Sequence, residues 1–295
     1  MERADAHLHL FASGYPGRYG RSPAGGDELA VYGSLRRTHG IDRALVVGYE
    51  GAPEFVGNNA YLAGLAADHD WIAPVAYVPP GGPTDPSDLR RWWAEGFVGI
   101  SAYLADPEAS RAFGMWLGDA AADLDRVGAV LSLNATPAAT AHLGPALAAL
   151  GDCTVLVSHL GLPGAHPVPP GRDTAASVLA PLLGLAELPH VGVKLSGLYA
   201  ISEPAHAWPH DSARPFVEVL LGAFGPQRLY WGSDFSPSLD HVSFAQTLHP
   251  VGLDGLSPAE AADVYGGNLC RVLPTRAGVV TPGEQPHRTI AAGIK

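Results

Sequence analysis

The 295-residue chain is 47% hydrophobic and 16% charged, enough apolar material for a large core and too little charge for a disordered polymer. Its net charge of −11 argues against nucleic-acid and anionic-membrane partners, and leaves a small molecule as the expected partner. Cys153 and Cys270 lie far apart and suggest no disulfide framework; with no apolar leader in residues 1–10 and no run long enough to span a bilayer, the expected location is the cytoplasm.

The first apolar, β-rich run is 4–10, which carries Asp5, His7 and His9; a second follows at 44–48. Residues 54–69 set Phe55, Leu62, Leu65 and Ala66 at helical spacing. A strand-like run at 72–78 leads to a helical segment at 88–95, and the next pair is 97–102 with 111–127. Run 129–133 is followed by Thr136-Pro137, an N-cap with proline at the first helical position, opening a helix over 138–150. Runs 154–158 and 191–195 are followed by helices at 175–188 and 215–224, and the last strand-like run is 229–232. Ser257-Pro258-Ala259-Glu260 reads as a capping box.

Most of these runs are continuously apolar, as parallel strands covered on both faces require. Eight of them alternating with helices predict a single-domain α/β fold, a (β/α)8 TIM barrel over residues 1–273, with an open doubly wound sheet as the alternative. Residues 274–295 lack periodicity and are expected to form a C-terminal tail.

Barrel enzymes carry their chemistry at the C-terminal ends of the strands. His7 and His9, two apart on a strand, project to the same side, as a metal pair does. Strand six runs through Ser158 into His159 and then a Gly/Pro loop. Strand eight ends Gly232-Ser233-Asp234, and an acid there is costly unless paired or used; it suits a metal ligand or a base that deprotonates water. Lys194 in strand seven fits either an anion- or oxyanion-binding cation or a structural partner of Asp234 or another acid. His166, His206, Trp208 and His210 lie in loops that overhang the active face, His39, His69, His142, His190, His249 and His287 are read as surface residues, and Asn268 as a helix cap. No dinucleotide fingerprint, P-loop or nucleophile elbow is present.

Taken together, Asp5-Ala6-His7-Leu8-His9, Ser158-His159-Leu160-Gly161, Val193-Lys194-Leu195-Ser196-Gly197, Phe224-Gly225-Pro226-Gln227-Arg228-Leu229 with Gly232-Ser233-Asp234, and Gly267-Asn268 resemble the amidohydrolase superfamily. They are most similar to its amidohydrolase-related (amidohydrolase 2) branch, on the side of the 2-pyrone-4,6-dicarboxylate and L-fuconolactone lactonases. The resemblance implies a hydrolase acting on a cyclic ester or related amide, with Asp234 as general base and His159 and Lys194 as further catalytic groups. It also implies His7, His9 and Asp234 as ligands of Zn2+, with a metal-independent route left open, and a homodimer as the expected assembly. Two departures stand out. Strand five ends Leu133-Asn134 where zinc-dependent relatives add a histidine, and His142 falls in the next helix, which leaves His159 or Asn134 as the additional ligand. Strand four carries Ser101 where relatives with carboxylated substrates place an arginine. The alternatives are a metal-dependent decarboxylase, which both departures disfavour, and a non-catalytic binding barrel.

Overall fold

A computed structural model describes residues 3–274; the tail from 275 onward, with His287, lies outside the described residues. Eight strands, Arg3–Leu8 (β1), Ile41–Val47 (β2), Ile72–Tyr77 (β3), Gly99–Leu104 (β4), Val130–Ala135 (β5), Thr154–Val157 (β6), Val191–Leu195 (β7) and Leu229–Trp231 (β8), pair in sequence order, each parallel to the next. The ring meets itself where Leu8 bridges Phe235, and the Asp234 amide donates to the His7 carbonyl at 2.8 Å. The expected (β/α)8 barrel is the observed fold.

The helices depart from expectation where backbone chemistry interrupts the apolar pattern. Gly57, at a φ of 89°, splits 54–69 into a short turn and the helix Asn58–Asp68. Pro145 and Pro181 lack the N–H that a continuous helix needs, so 138–150 and 175–188 break into short pieces. Thr136, Ser257 and Asn268 all occupy cap positions as expected; the Asn268 backbone amide closes the helical turn Asp263–Gly267, and its side-chain amide also donates to the Pro226 and Leu229 carbonyls and holds the start of β8. A helix that the apolar pattern does not reveal, Glu28–His39, is bounded by the Asp27 cap and by Gly40 in the left-handed conformation. Its buried positions are Glu28, Tyr32 and Gly33, hardly an apolar stripe.

Alternation along the strands separates two cores. Leu8, Val46, Ile100, Leu131, Val193 and Trp231 belong to the layer between strands and helices. Ala6, Val47, Val75, Val130, Leu156 and Tyr230 fill the barrel, joined by Leu269 and Leu273 of the last helical segment. The next inward positions toward the strand ends turn polar: Ser101, Ser132, Ser158 and Lys194 are buried there, beneath the mouth.

Candidate active site

β1 reaches the mouth through an irregularity. Its pairing with β2 shifts between Asp5 and Leu8, so Ala4 and Ala6 face the barrel interior while Asp5 turns away toward the helix Glu28–His39. There Asp5 accepts from the Tyr32 hydroxyl at 2.9 Å, the Ser233 amide at 2.9 Å and the His7 amide at 3.1 Å, fastening the last strand to the first. Beyond the shift, His7 and His9 both face the mouth.

The two imidazoles are held differently. His9 Nδ1 lies 2.8 Å from the Val47 carbonyl, which fixes the proton on that nitrogen and leaves the Nε2 lone pair available. His7 Nδ1 lies 3.2 Å from Lys194 Nζ and 3.3 Å from Ser158 Oγ; its Nε2 is buried with no hydrogen-bond partner among the described residues and sits 3.6 Å from an Asp234 oxygen. Asp234 occupies a left-handed turn (φ 55°) that aspartate tolerates better than most residues, and its other oxygen accepts from the Tyr199 hydroxyl at 2.7 Å. Burial raises the Asp234 pKa to about 6 against the opposing pull of His9, Tyr199 and Lys194.

His159 packs edge-on against His7, with ring centroids 4.6 Å apart. Ser196 Oγ accepts from the His159 backbone amide and lies 3.0 Å from its Nδ1, a contact in which Nδ1 accepts when the ring proton sits on Nε2. Burial, then the Lys194 charge, pulls the His159 pKa down to about 4. Gly197 makes room for this ring: its φ is 63°, and a Cβ there would lie 2.5 Å from His159 Nδ1. Gly197→Ala should therefore cost about 1–3 kcal/mol in urea unfolding, through backbone strain and displacement of the imidazole; an unchanged midpoint would refute this.

Lys194 is fully buried. Its ammonium meets Ser132 Oγ at 2.6 Å and His7 Nδ1 at 3.2 Å, and burial lowers its pKa to about 7 although Asp5 and Asp234 pull upward. Of its two expected roles, structural partner of an acid or cation for an anion, the first finds no ion pair with either acid among the described residues; the direct contacts are with Ser132 and His7.

Ligand atoms of His7, His9 and Asp234 all lie within 4.8 Å of one another. The set fits a small divalent cation: two imidazoles and a carboxylate, with the His7 Nε2 buried and without a hydrogen-bond partner among the described residues and the His9 ring oriented by a carbonyl behind it. His159 is not a member of this cluster. Among the loop histidines, His166 packs on Phe216, while His210 is buried with its pKa lowered to about 4 by burial and by His241. His190 is not a plain surface group, since its Nε2 lies 3.0 Å from the Leu147 carbonyl.

Tyr199 and Ser196 escape sequence reasoning because they follow a strand end in a loop, where no periodicity assigns direction. Tyr199→Phe tests the first. Losing a hydrogen bond that favours the carboxylate should push the Asp234 pKa above about 6, by roughly one unit. Carboxyl-carbon NMR titration of metal-free protein reads this, and a shift downward or none at all would show that Tyr199 does not set this carboxyl.

Residues 4–275 match the family model described as Amidohydrolase. L-fucono-1,5-lactonase of Burkholderia multivorans is 33% identical over 131 residues, 42% of this chain and 44% of that protein. The Burkholderia ambifaria protein of the same name is 31% identical over 125 residues, 39% of this chain and 40% of that protein. The aligned stretch thus spans less than half the length of these curated relatives. Among solved structures, an amidohydrolase of Burkholderia multivorans with bound HEPES superposes with a TM-score of 0.76 at 23% identity, covering 93% of this chain and 100% of that one. A second structure, of the same description but with bound zinc, gives 0.71 at 23% identity over the same shares. A probable 2-pyrone-4,6-dicarboxylic acid hydrolase from Acinetobacter baumannii with citric acid bound gives 0.68 at 19% identity, over 92% of this chain and 99% of that one.

Proposed function

The chain belongs to the amidohydrolase 2 family, and from that premise we propose that it hydrolyses a lactone by water attack on the ring carbonyl. The observation that carries this reading is the convergence of His7, His9 and a buried, raised-pKa Asp234 in one polar cup. The lactonase names of the curated relatives support the substrate class.

Asp234 serves as general base. Above about pH 6 its carboxylate takes a proton from water as the water oxygen bonds to the carbonyl carbon and the carbonyl π electrons move onto oxygen. When the tetrahedral species collapses, the ring C–O bond breaks and the departing oxygen receives that proton from Asp234, leaving a hydroxy acid. His159, neutral at pH 7, offers its Nε2 proton to the developing oxyanion. Lys194 is a positioning residue that orients His7 from beneath. His7, His9 and Asp234 would hold Zn2+, which when bound supplies Lewis acidity to the reacting oxygens.

Acid release followed in a pH-stat over five- and six-membered lactones, before and after loading with Zn2+, tests the proposal. Turnover is expected, with kcat/KM of the metal-free enzyme rising as pH climbs through about 6 because protonated Asp234 cannot accept. Absence of acid release from every lactone in both states would end it. The decarboxylase reading gains nothing from β4, where Ser101 donates its hydroxyl to the Gly48 carbonyl at 2.6 Å.

A further inference from the structure

Opposite the seam, the mouth is lined by tyrosines. Tyr77 and Tyr103, on β3 and β4, follow the inward Val75 and Ser101 by two positions and so project toward the mouth, and Tyr49, two residues past the end of β2, packs against both. Their rings touch: Tyr49 and Tyr103 centroids are 4.6 Å apart, and Tyr49 and Tyr77 are 5.5 Å apart. The arc continues through Phe55 and Phe11 to His9, with centroids 5.3, 4.4 and 5.7 Å apart in turn. Tyr103 is half-buried, yet its hydroxyl is shielded from solvent and has no hydrogen-bond partner among the described residues. Its neighbour across the β4–β5 ladder is Asn134, the residue at the strand-five end, half-buried like Tyr103.

The charges around this arc are negative. Asp234 raises the Tyr103 pKa and Glu50 raises that of Tyr77, each after burial and a neighbouring tyrosine where one applies. Neither lysine nor arginine occurs in 47–57, 77–87, 103–107 or 134–150, the segments at and beyond these strand ends. Arg18 lies on the other side, near His241 beyond β8. A carboxylated ring lying along this arc would meet acids and no lysine or arginine from these segments, whereas an uncharged ring finds aromatic faces for its C–H surface and polar groups for its hydroxyls.

We infer that Tyr103, seconded by Asn134, is a specificity-determining residue that receives a hydroxyl of an uncharged, hydroxylated ring lying against the Tyr49–Tyr77 wall. The inference rests on the lactone reading and narrows it to neutral hydroxylated lactones. A buried phenol left without its partner is costly, so a substrate lacking that hydroxyl is rejected and one supplying it is favoured.

The test compares three substrates, a hydroxylated six-membered aldonolactone, unsubstituted δ-valerolactone and a carboxylated six-membered lactone, with the full chain and with Tyr103→Phe. The full chain should prefer the aldonolactone to the carboxylated ring. The variant should lose about tenfold in kcat/KM on the aldonolactone, mostly through KM, and that loss should exceed any loss on δ-valerolactone by a similar factor. Preference for the carboxylated ring, or equal loss on the hydroxylated and bare rings, would overturn this inference and leave the lactone reading standing. Hydrolysis of none of the three would bring down the lactone reading itself, and this inference with it.

Discussion

Asp234→Asn is expected to lower kcat on any accepted lactone by about 10³-fold or more while the protein stays folded. The amide cannot accept a proton from water and is a poor cation ligand, so both of the residue's proposed roles fail together. The fold should survive because the backbone of the turn is held independently, by the Asp234 amide on the His7 carbonyl and by Ser238 N on the Asp234 carbonyl. The amide side chain can still accept from Tyr199, and it no longer carries a buried charge. Circular dichroism and thermal unfolding check the fold, and a pH-stat checks the rate. Wild-type turnover would remove Asp234 from the mechanism; collapse of the fold would make it structural.

Glu28→Ala should destabilise the protein by about 3–5 kcal/mol. Glu28 is buried, and its carboxylate accepts from the Phe11 and Tyr15 amides and from the Ser22 and Ser236 hydroxyls. Alanine strands four donors that the surrounding chain was built to satisfy. Because Phe11 stacks on His9 and Ser236 follows Asp234 by two residues, the loosened segments flank the cup, so KM should rise in whatever fraction remains folded. Urea unfolding measures the first effect; a loss under about 1 kcal/mol would mean that water satisfies these donors as well as the carboxylate does.

Most of the barrel was legible because parallel strands buried on both faces leave long apolar runs that need no partner to be recognised. His7 and His9 were legible for the same reason, since a two-residue period fixes their common side whichever strand lies next to them. Asp5 was not. Its turn toward Tyr32 depends on the pairing shift in β1, which reflects a neighbouring strand rather than the local sequence. Glu28 escaped because its helix has hardly any apolar stripe, and its role comes from four donors that arrive from other segments. Lys194 could be placed on an inward position, but whether it would meet an acid or an imidazole depended on side chains from β1 and β5. Tyr77 and Tyr103 could have been found by counting two positions past the inward Val75 and Ser101 within β3 and β4, whereas Tyr49 lies past the end of β2, where that count no longer assigns a direction.

The seam between β1 and β8 has a consequence for the life of the molecule. The residues that would do the chemistry come from opposite ends of the described chain and are brought together by Asp5 and by the Asp234 amide on His7. During synthesis, seven strands can emerge and pair without any version of the cup existing. In the finished protein, transient parting of this one junction would silence turnover while the other strand pairs stayed zipped, so activity would vanish at milder denaturant than bulk secondary structure.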